Sequence, residues 1–150
     1  MSYKFPIPGF YFSVDVDGDS ISFQEVGGLE FQIELEDMQG DGRSGGHSMG
    51  APKKRKPGNL VLKRGVASEK AGFFTWIYNS FHYEKSGSVV TPKDIDIFLL
   101  DPGTGGIVRF WRAYGAFPTK WSFANLHSQK NEILIETVEF QLQDLEMILF

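Results

Sequence analysis

The eight residues from Leu29 to Glu36, L-E-F-Q-I-E-L-E, alternate without a fault: Leu29, Phe31, Ile33 and Leu35 fall on one side, Glu30, Gln32, Glu34 and Glu36 on the other. Only a period of two separates them in this way, which specifies a β-strand. The apolar side is expected to face a core and the carboxylate side to face water or a cationic partner, so the chain must build a sheet with one wet face. Register is firmly set, because a one-residue slip would bury unpaired carboxylates at a cost of several kcal/mol each.

Phe10 to Val16 alternates in the same way, and Asp17-Gly18 supplies a tight turn into a return arm over Ile21 to Val26. Gly27-Gly28 separates that arm from the strand above, so the N-terminal part reads as a meander. Further strands are expected at Asn59 to Arg64, Asp94 to Asp101, Ile107 to Tyr114 and Glu132 to Leu142. A helix is expected over about 68–82, with Ser68 as N-cap, Glu69 in the first turn, and Phe73, Phe74, Ile77 and Phe81 recurring at helical spacing. The 14 phenylalanines give large packing units to a chain of 150 residues, the size of one domain. The expected fold is therefore a single domain over 1–150, mainly β: a small antiparallel β-barrel or sandwich with one flanking α-helix and a long loop.

That loop is expected over about 38–58, where six glycines fall between Gly40 and Gly58. Compact domains rarely keep a loop of such length without a use for it. It ends in the basic run P-K-K-R-K-P, with Lys53, Lys54, Arg55 and Lys56. A formal net charge of -4 argues against indiscriminate nucleic-acid binding, and the run has no interleaved aromatics. Docking of this loop on the acidic face of another copy accounts for both charged features with one contact.

Reactive constellations fail on inspection. Asp15, Asp17 and Asp19 begin like a calcium loop, but Ser20 and Val26 stand where Gly and Glu are needed, so a hairpin turn is expected instead. Gly40, Gly42 and Gly45 meet G-x-G-x-x-G with no helix following to receive a pyrophosphate. His47, His82 and His127 lack metal-ligand spacing, no nucleophile elbow surrounds any serine, and alternating acids on a strand read as a solvated face rather than a glycosidase pair. With no cysteine, disulfides and thiolate chemistry are excluded. No catalytic, metal or cofactor-binding residue is expected, and no enzymatic activity. Pro6, Pro8 and Gly9 interrupt the N-terminus and no apolar run reaches transmembrane length, so cytoplasmic synthesis without a signal peptide, and no membrane insertion, are expected.

Taken together, F-Q-E-V-G-G-L from Phe23, P-G-N-L-V-L-K-R-G from Pro57, A-F-P-T-K-W-S from Ala116 and N-E-I-L-I-E-T-V-E-F from Asn131 resemble the tail-tube proteins of contractile phages and of extracellular contractile injection systems. The resemblance runs from about Phe10 to Glu146. It implies a fold related to the type VI secretion tube protein, with hexameric rings whose sheets merge around a channel and which stack inside a contractile sheath. The implied partners are further copies of the chain, the sheath protein, baseplate and terminator proteins, and nucleic acid or protein cargo in the channel of a phage tail or an extracellular particle. On this reading Asp41, Arg43, His47, Lys53, Lys54, Arg55 and Lys56 belong to a ring-stacking loop, and Glu30, Gln32, Glu34 and Glu36 line the channel. A tube-initiator paralogue next to the baseplate, or a monomeric β-sandwich binding module, are the alternatives.

Overall fold

The computed structural model describes residues 10–35, 52–55, 57–66, 72–83, 91–125 and 134–149. Strands β1 (Tyr11–Val16) and β2 (Asp19–Phe23) form the expected hairpin. Asp17 and Gly18 both take positive φ (51° and 86°), the backbone of the tight turn that Asp-Gly favours. Past Gln24 the same run continues as β3 (Glu25–Gly27) but changes partner: β2 pairs with β1, whereas β3 pairs with β6 (Leu60–Gly65). Gln24 N donates to Lys63 O at 3.0 Å and closes the gap between the two pairings.

A second bent strand mirrors the first. After β7 (Lys93–Leu100), strand β8 (Ile107–Asn125) is 19 residues long. Its first half lies between β7 and β10 (Asp144–Ile148), and its second half pairs with β9 (Leu134–Gln141), which in turn pairs with β6. Every pairing is antiparallel, and the order β2-β1-β7-β8-β9-β6-β3 returns to its start through the continuous run β2–β3. A sheet whose two ends are one bent strand is a barrel.

Strict alternation fills its interior with Val14, Val16, Ile21, Phe23, Leu60, Leu62, Ile95, Ile97, Val138 and Phe140, all buried. Helix α1 (Gly72–Phe81) adds Phe73, Trp76 and Ile77 to that core. Phe73 meets Phe23 edge-on at 6.1 Å, and Trp76 stacks on Phe140 at 5.8 Å. Each of these rings removes apolar surface worth about 1.5–3 kcal/mol from water, more than a ten-residue helix could gain from propensity alone. The helix has no acid in its first turn. Asp19 at the start of β2 serves instead: its Oδ2 accepts from Phe73 N at 3.2 Å, a cap placed by the barrel rather than by local sequence. Ser68 and Glu69 lie outside the described residues.

Three expectations change. Among the described residues of the stretch Leu29 to Glu36, β4 (Ile33–Leu35) is the part that joins a ladder, and its partner is β5 (Pro52–Arg55) in a separate two-stranded sheet rather than the barrel. Leu29 packs on the core, but Phe31, Ile33 and Leu35 are 48%, 59% and 56% exposed. Of the apolar side expected to face a core, Leu29 does so within the chain, whereas Phe31, Ile33 and Leu35 are exposed in the single copy. Gly28 explains the departure: with φ at 85° it turns the chain out of the β3–β6 ladder. Second, the expected loop over about 38–58 ends in a strand, because Lys53, Lys54 and Arg55 belong to β5. Third, β8 continues eleven residues past the expected end at Tyr114 and β10 exists at all. Gly115 (φ 59°) marks the bend where β8 exchanges β7 and β10 for β9.

An added methyl tests both bends. A Cβ at Gly28 would fall 1.8 Å from Asn59 O, main chain that cannot move away, so Gly28→Ala is expected to lower stability by about 3 kcal/mol or more. At Gly115 the obstruction is the Gln143 side chain at 2.4 Å, which can swing aside, leaving mainly the backbone strain of about 1–2 kcal/mol. Urea midpoints of both variants check the order, and a Gly28→Ala protein as stable as Gly115→Ala contradicts it.

Candidate assembly interface

The β4–β5 arm carries four of the residues singled out by charge, Glu34, Lys53, Lys54 and Arg55. Ile33 lies opposite Arg55 and Leu35 opposite Pro52, so the acidic strand and the basic run are neighbours within one chain. The backbone therefore sets Glu34 and the residues Lys53 to Arg55 on paired strands of the same chain. Glu30 and Gln32 are exposed, and the Glu30 carboxylate lies over Gly58, where a Cβ would come within 2.9 Å of Oε1. Glu34 is on β4; Glu36, Asp41, Arg43, His47 and Lys56 lie outside the described residues. What the arm offers outward is apolar, Ile33 and Leu35 on a narrow two-stranded ribbon, with Phe31 exposed just before it. Such ribbons are marginal in water unless a face is covered.

Two strand edges are the other open surfaces. The β7–β8 ladder ends at Lys93 opposite Ala116, so from Phe117 to Asn125 β8 is paired on the β9 side alone among the described residues. β10 likewise pairs only with β8 there. Unpaired N–H and C=O rows of this kind are templates for another strand.

Beside the β8 edge sits an aromatic cluster. Phe81, from the end of α1, stacks with Trp121 at 6.3 Å, and Trp121 meets Phe123 at 5.4 Å. Half of Phe123 is exposed (50%). Trp121 is held from below: its indole Nε1 donates to Glu136 Oε2 at 2.8 Å, while Glu136 Oε1 accepts from Arg64 Nε at 3.1 Å. Arg64 and Glu136 are direct partners in the β6–β9 register and are both buried, and the guanidinium lies 4.2 Å from the centre of the Phe74 ring. This network escaped the sequence reading. One signal was present, since Glu136 stands between Leu134 and Val138 in the inward phase of β9, an acid where an apolar residue belongs.

The outward face of β7, β8 and β10 is acidic. Asp96 accepts both Arg112 Nε (2.6 Å) and Nη2 (3.2 Å), a bidentate pair that holds the guanidinium's pKa well above its ordinary value, chiefly through the hydrogen bond and then the opposite charge. Tyr114 donates to Glu146 at 2.7 Å, and that hydrogen bond, with burial and the carboxylate's charge behind it, raises the phenol's pKa. Asp15, Asp17 and Asp19 are all engaged, with Ser20, Lys93 and the helix N-terminus respectively. Among the described residues no three His, Asp or Glu side chains converge as a metal site, and no helix is long and apolar enough to cross a membrane. His82 stacks on Tyr78 at 4.0 Å; His47 and His127, and the glycines of G-x-G-x-x-G, lie outside the described residues.

The buried pair yields a direct prediction. Glu136→Ala takes the paired carboxylate from the buried Arg64 and the acceptor from the Trp121 indole, so stability should fall by about 3–5 kcal/mol. Arg64→Met combined with Glu136→Leu removes both charges together and should cost less than Glu136→Ala alone. Urea unfolding read by tryptophan fluorescence checks this; a double variant less stable than the single one would contradict the account.

The architecture has known counterparts. The PVC extracellular contractile injection system, solved as its sheath–tube complex in the extended state, contains a chain with TM-score 0.72 and 24% identity, covering 98% of this chain and 94% of that one. A chain of the anti-feeding prophage cap reaches TM-score 0.75 at 21% identity, with 100% and 95% covered. Hcp1 from Flavobacterium johnsoniae matches at TM-score 0.58 and 16% identity, with 92% and 94% covered. These likenesses concern the fold. No curated protein sequence is significantly similar to the chain. The profile of the T4-like virus tail tube protein gp19 family matches residues 8–146, and the chain belongs to that family of structural tube proteins.

Proposed function

We propose that copies of this chain close into hexameric rings, and that the rings stack into a hollow tube which conducts cargo when a surrounding sheath contracts. The observation that carries the stacking is the β4–β5 arm. Ile33 and Leu35 of β4 are 59% and 56% exposed, and apolar residues this open are covered when they meet a neighbouring copy. Family membership supports the tube, and the sheath–tube complex among the fold's counterparts supports a sheath as partner. Baseplate and terminator contacts, placement in a phage tail or an extracellular particle, and nucleic acid or protein as cargo belong to the same reading. The task is mechanical, with no catalytic step.

With the apolar side of the arm against a neighbour, the side bearing Glu30, Gln32, Glu34 and Glu36 faces water. We assign that water to the channel, where a negative wall would repel anionic cargo and ease its passage. Asp41, Arg43, His47 and the run Lys53 to Lys56 would then sit between stacked rings.

Electron microscopy of purified protein tests the reading. Long tubes are expected, whereas single rings that never elongate would favour the baseplate-proximal initiator and a strictly monomeric protein would refute ring formation. Deleting Asp41 to Gly50 should leave the circular dichroism of the barrel intact and abolish tubes; tubes of normal length would remove that loop from stacking. Glu30→Lys with Glu34→Lys should leave tubes intact if these positions line the channel, and loss of tubes would place them in a contact instead.

A further inference from the structure

We propose that the outward face of β1, β7, β8 and β10 is a cargo wall suited to polypeptide rather than nucleic acid, taking basic and apolar side chains in adjacent rows. The proposal rests on the ring reading and names the class of cargo within it. Antiparallel register lays the rows out. Asp15 on β1 lies opposite Asp96 on β7, Asp96 opposite Arg112 on β8, and Arg112 opposite Glu146 on β10, so these side chains form one charged row across the sheet. Two residues along each strand, Ser13, Phe98, Phe110 and Ile148 form a second row by the same register. Both rows are on the side away from the core, because Val14 and Ile97, which lie between them in sequence, are buried on the other side. Phe98 and Phe110 stack with ring centres 4.4 Å apart and remain partly open, an aromatic pair on an otherwise polar face. Open aromatic rings of this kind mark contact surfaces.

How the rows act together is already visible in one residue. Arg112 gives Asp96 two hydrogen bonds, at 2.6 and 3.2 Å, and its guanidinium carbon lies 5.4 Å from the centre of the Phe110 ring. One cation is thus held by a carboxylate of the first row and a ring of the second. Asp15 and Glu146 at the ends of the charged row, with Phe98 beside them, repeat the elements of that arrangement, and no second cation stands in the row to match them. Lysine and arginine side chains of a polypeptide fit these acids, and its apolar side chains fit the row of Phe98, Phe110 and Ile148.

Nucleic acid meets the opposite conditions. Single-stranded bases stack on aromatic rings, but the two rows are about 7 Å apart, two residues along a strand. The phosphates of a strand stacked there would lie within a Debye length of the carboxylates. The bases of a duplex, stacked on one another, have no face to offer the rings. In rings whose sheets merge around a channel, the rows of successive copies join into an apolar band beside an acidic one, a wall that adds to the acidic side of the arm.

Peptide binding to assembled tubes tests the proposal. The probes are a short fluorescent peptide of lysine and leucine, its counterpart with glutamate in place of lysine, and a single-stranded oligonucleotide of equal length, read by fluorescence anisotropy. The lysine peptide is expected to bind about tenfold more tightly than either anionic probe. Phe98→Ser with Phe110→Ser removes the apolar row. Asp15→Asn with Glu146→Gln neutralises the ends of the charged row and keeps acceptors for Ser20 and Tyr114. Each pair should weaken binding of the lysine peptide about tenfold in tubes of normal appearance by microscopy; where the phenylalanine pair fails to assemble, the amide pair decides. Tubes that bind the oligonucleotide as tightly as the peptide, or variant tubes that bind the peptide as tightly as the parent, would overturn the cargo assignment and leave the ring reading in place. Protein that forms no ring at all would overturn both.

Discussion

Backbone pairing along Ile107–Asn125 is the interaction on which the rest of the structure depends. This one strand joins β7 and β10 in its first half and β9 in its second, so both layers of the barrel hang on it. The bend at Gly115 lets it serve both layers, and the run from Asp19 to Gly27 does the same at the other end of the sheet. The closure is incomplete in a specific way. Because the β7–β8 ladder ends with Lys93 opposite Ala116 and β10 pairs with β8 alone, one edge of β8 and one edge of β10 are left without partners among the described residues.

The helix follows from that closure. Asp19 reaches Phe73 N only because the β1–β2 hairpin holds it there, and the aromatic side chains of the helix complete a core that the strands enclose only in part. The Arg64–Glu136 pair is a related consequence. A buried ion pair adds little net stability compared with well-packed apolar residues, but here it fixes the β6–β9 register and orients Trp121 at the open edge. Interior packing thereby sets the shape of a surface.

Local signals were legible wherever the chain's own core answers them. The Asp17-Gly18 turn, the alternation of β6, β7 and β9, and the Phe73 and Ile77 face of the helix could all be read from residue spacing, because each pattern matches a neighbour within the same barrel. Leu29 to Glu36 shows where that logic ends. Alternation states that one side needs covering, yet it cannot state whose surface does so, and the arm leaves the barrel at Gly28. Acidic and basic runs some twenty residues apart in sequence lie on paired strands of one arm, a neighbourhood that residue spacing does not state. Asp19 as helix cap, and Glu136 as the link between Arg64 and Trp121, depend on long-range pairings that no local period encodes.

The central claim is that surfaces left open in one copy are closed by others. Hydrogen–deuterium exchange, compared between dilute monomer and assembled protein, measures this most directly, because amide protection reports which backbone groups gain partners. The account predicts new protection on assembly in peptides spanning Pro118 to Asn125, Leu145 to Ile148 and Phe31 to Leu35, with β1, β6 and β7 protected equally in both states. Exchange at those three segments that stays unchanged in assembled tubes would contradict it.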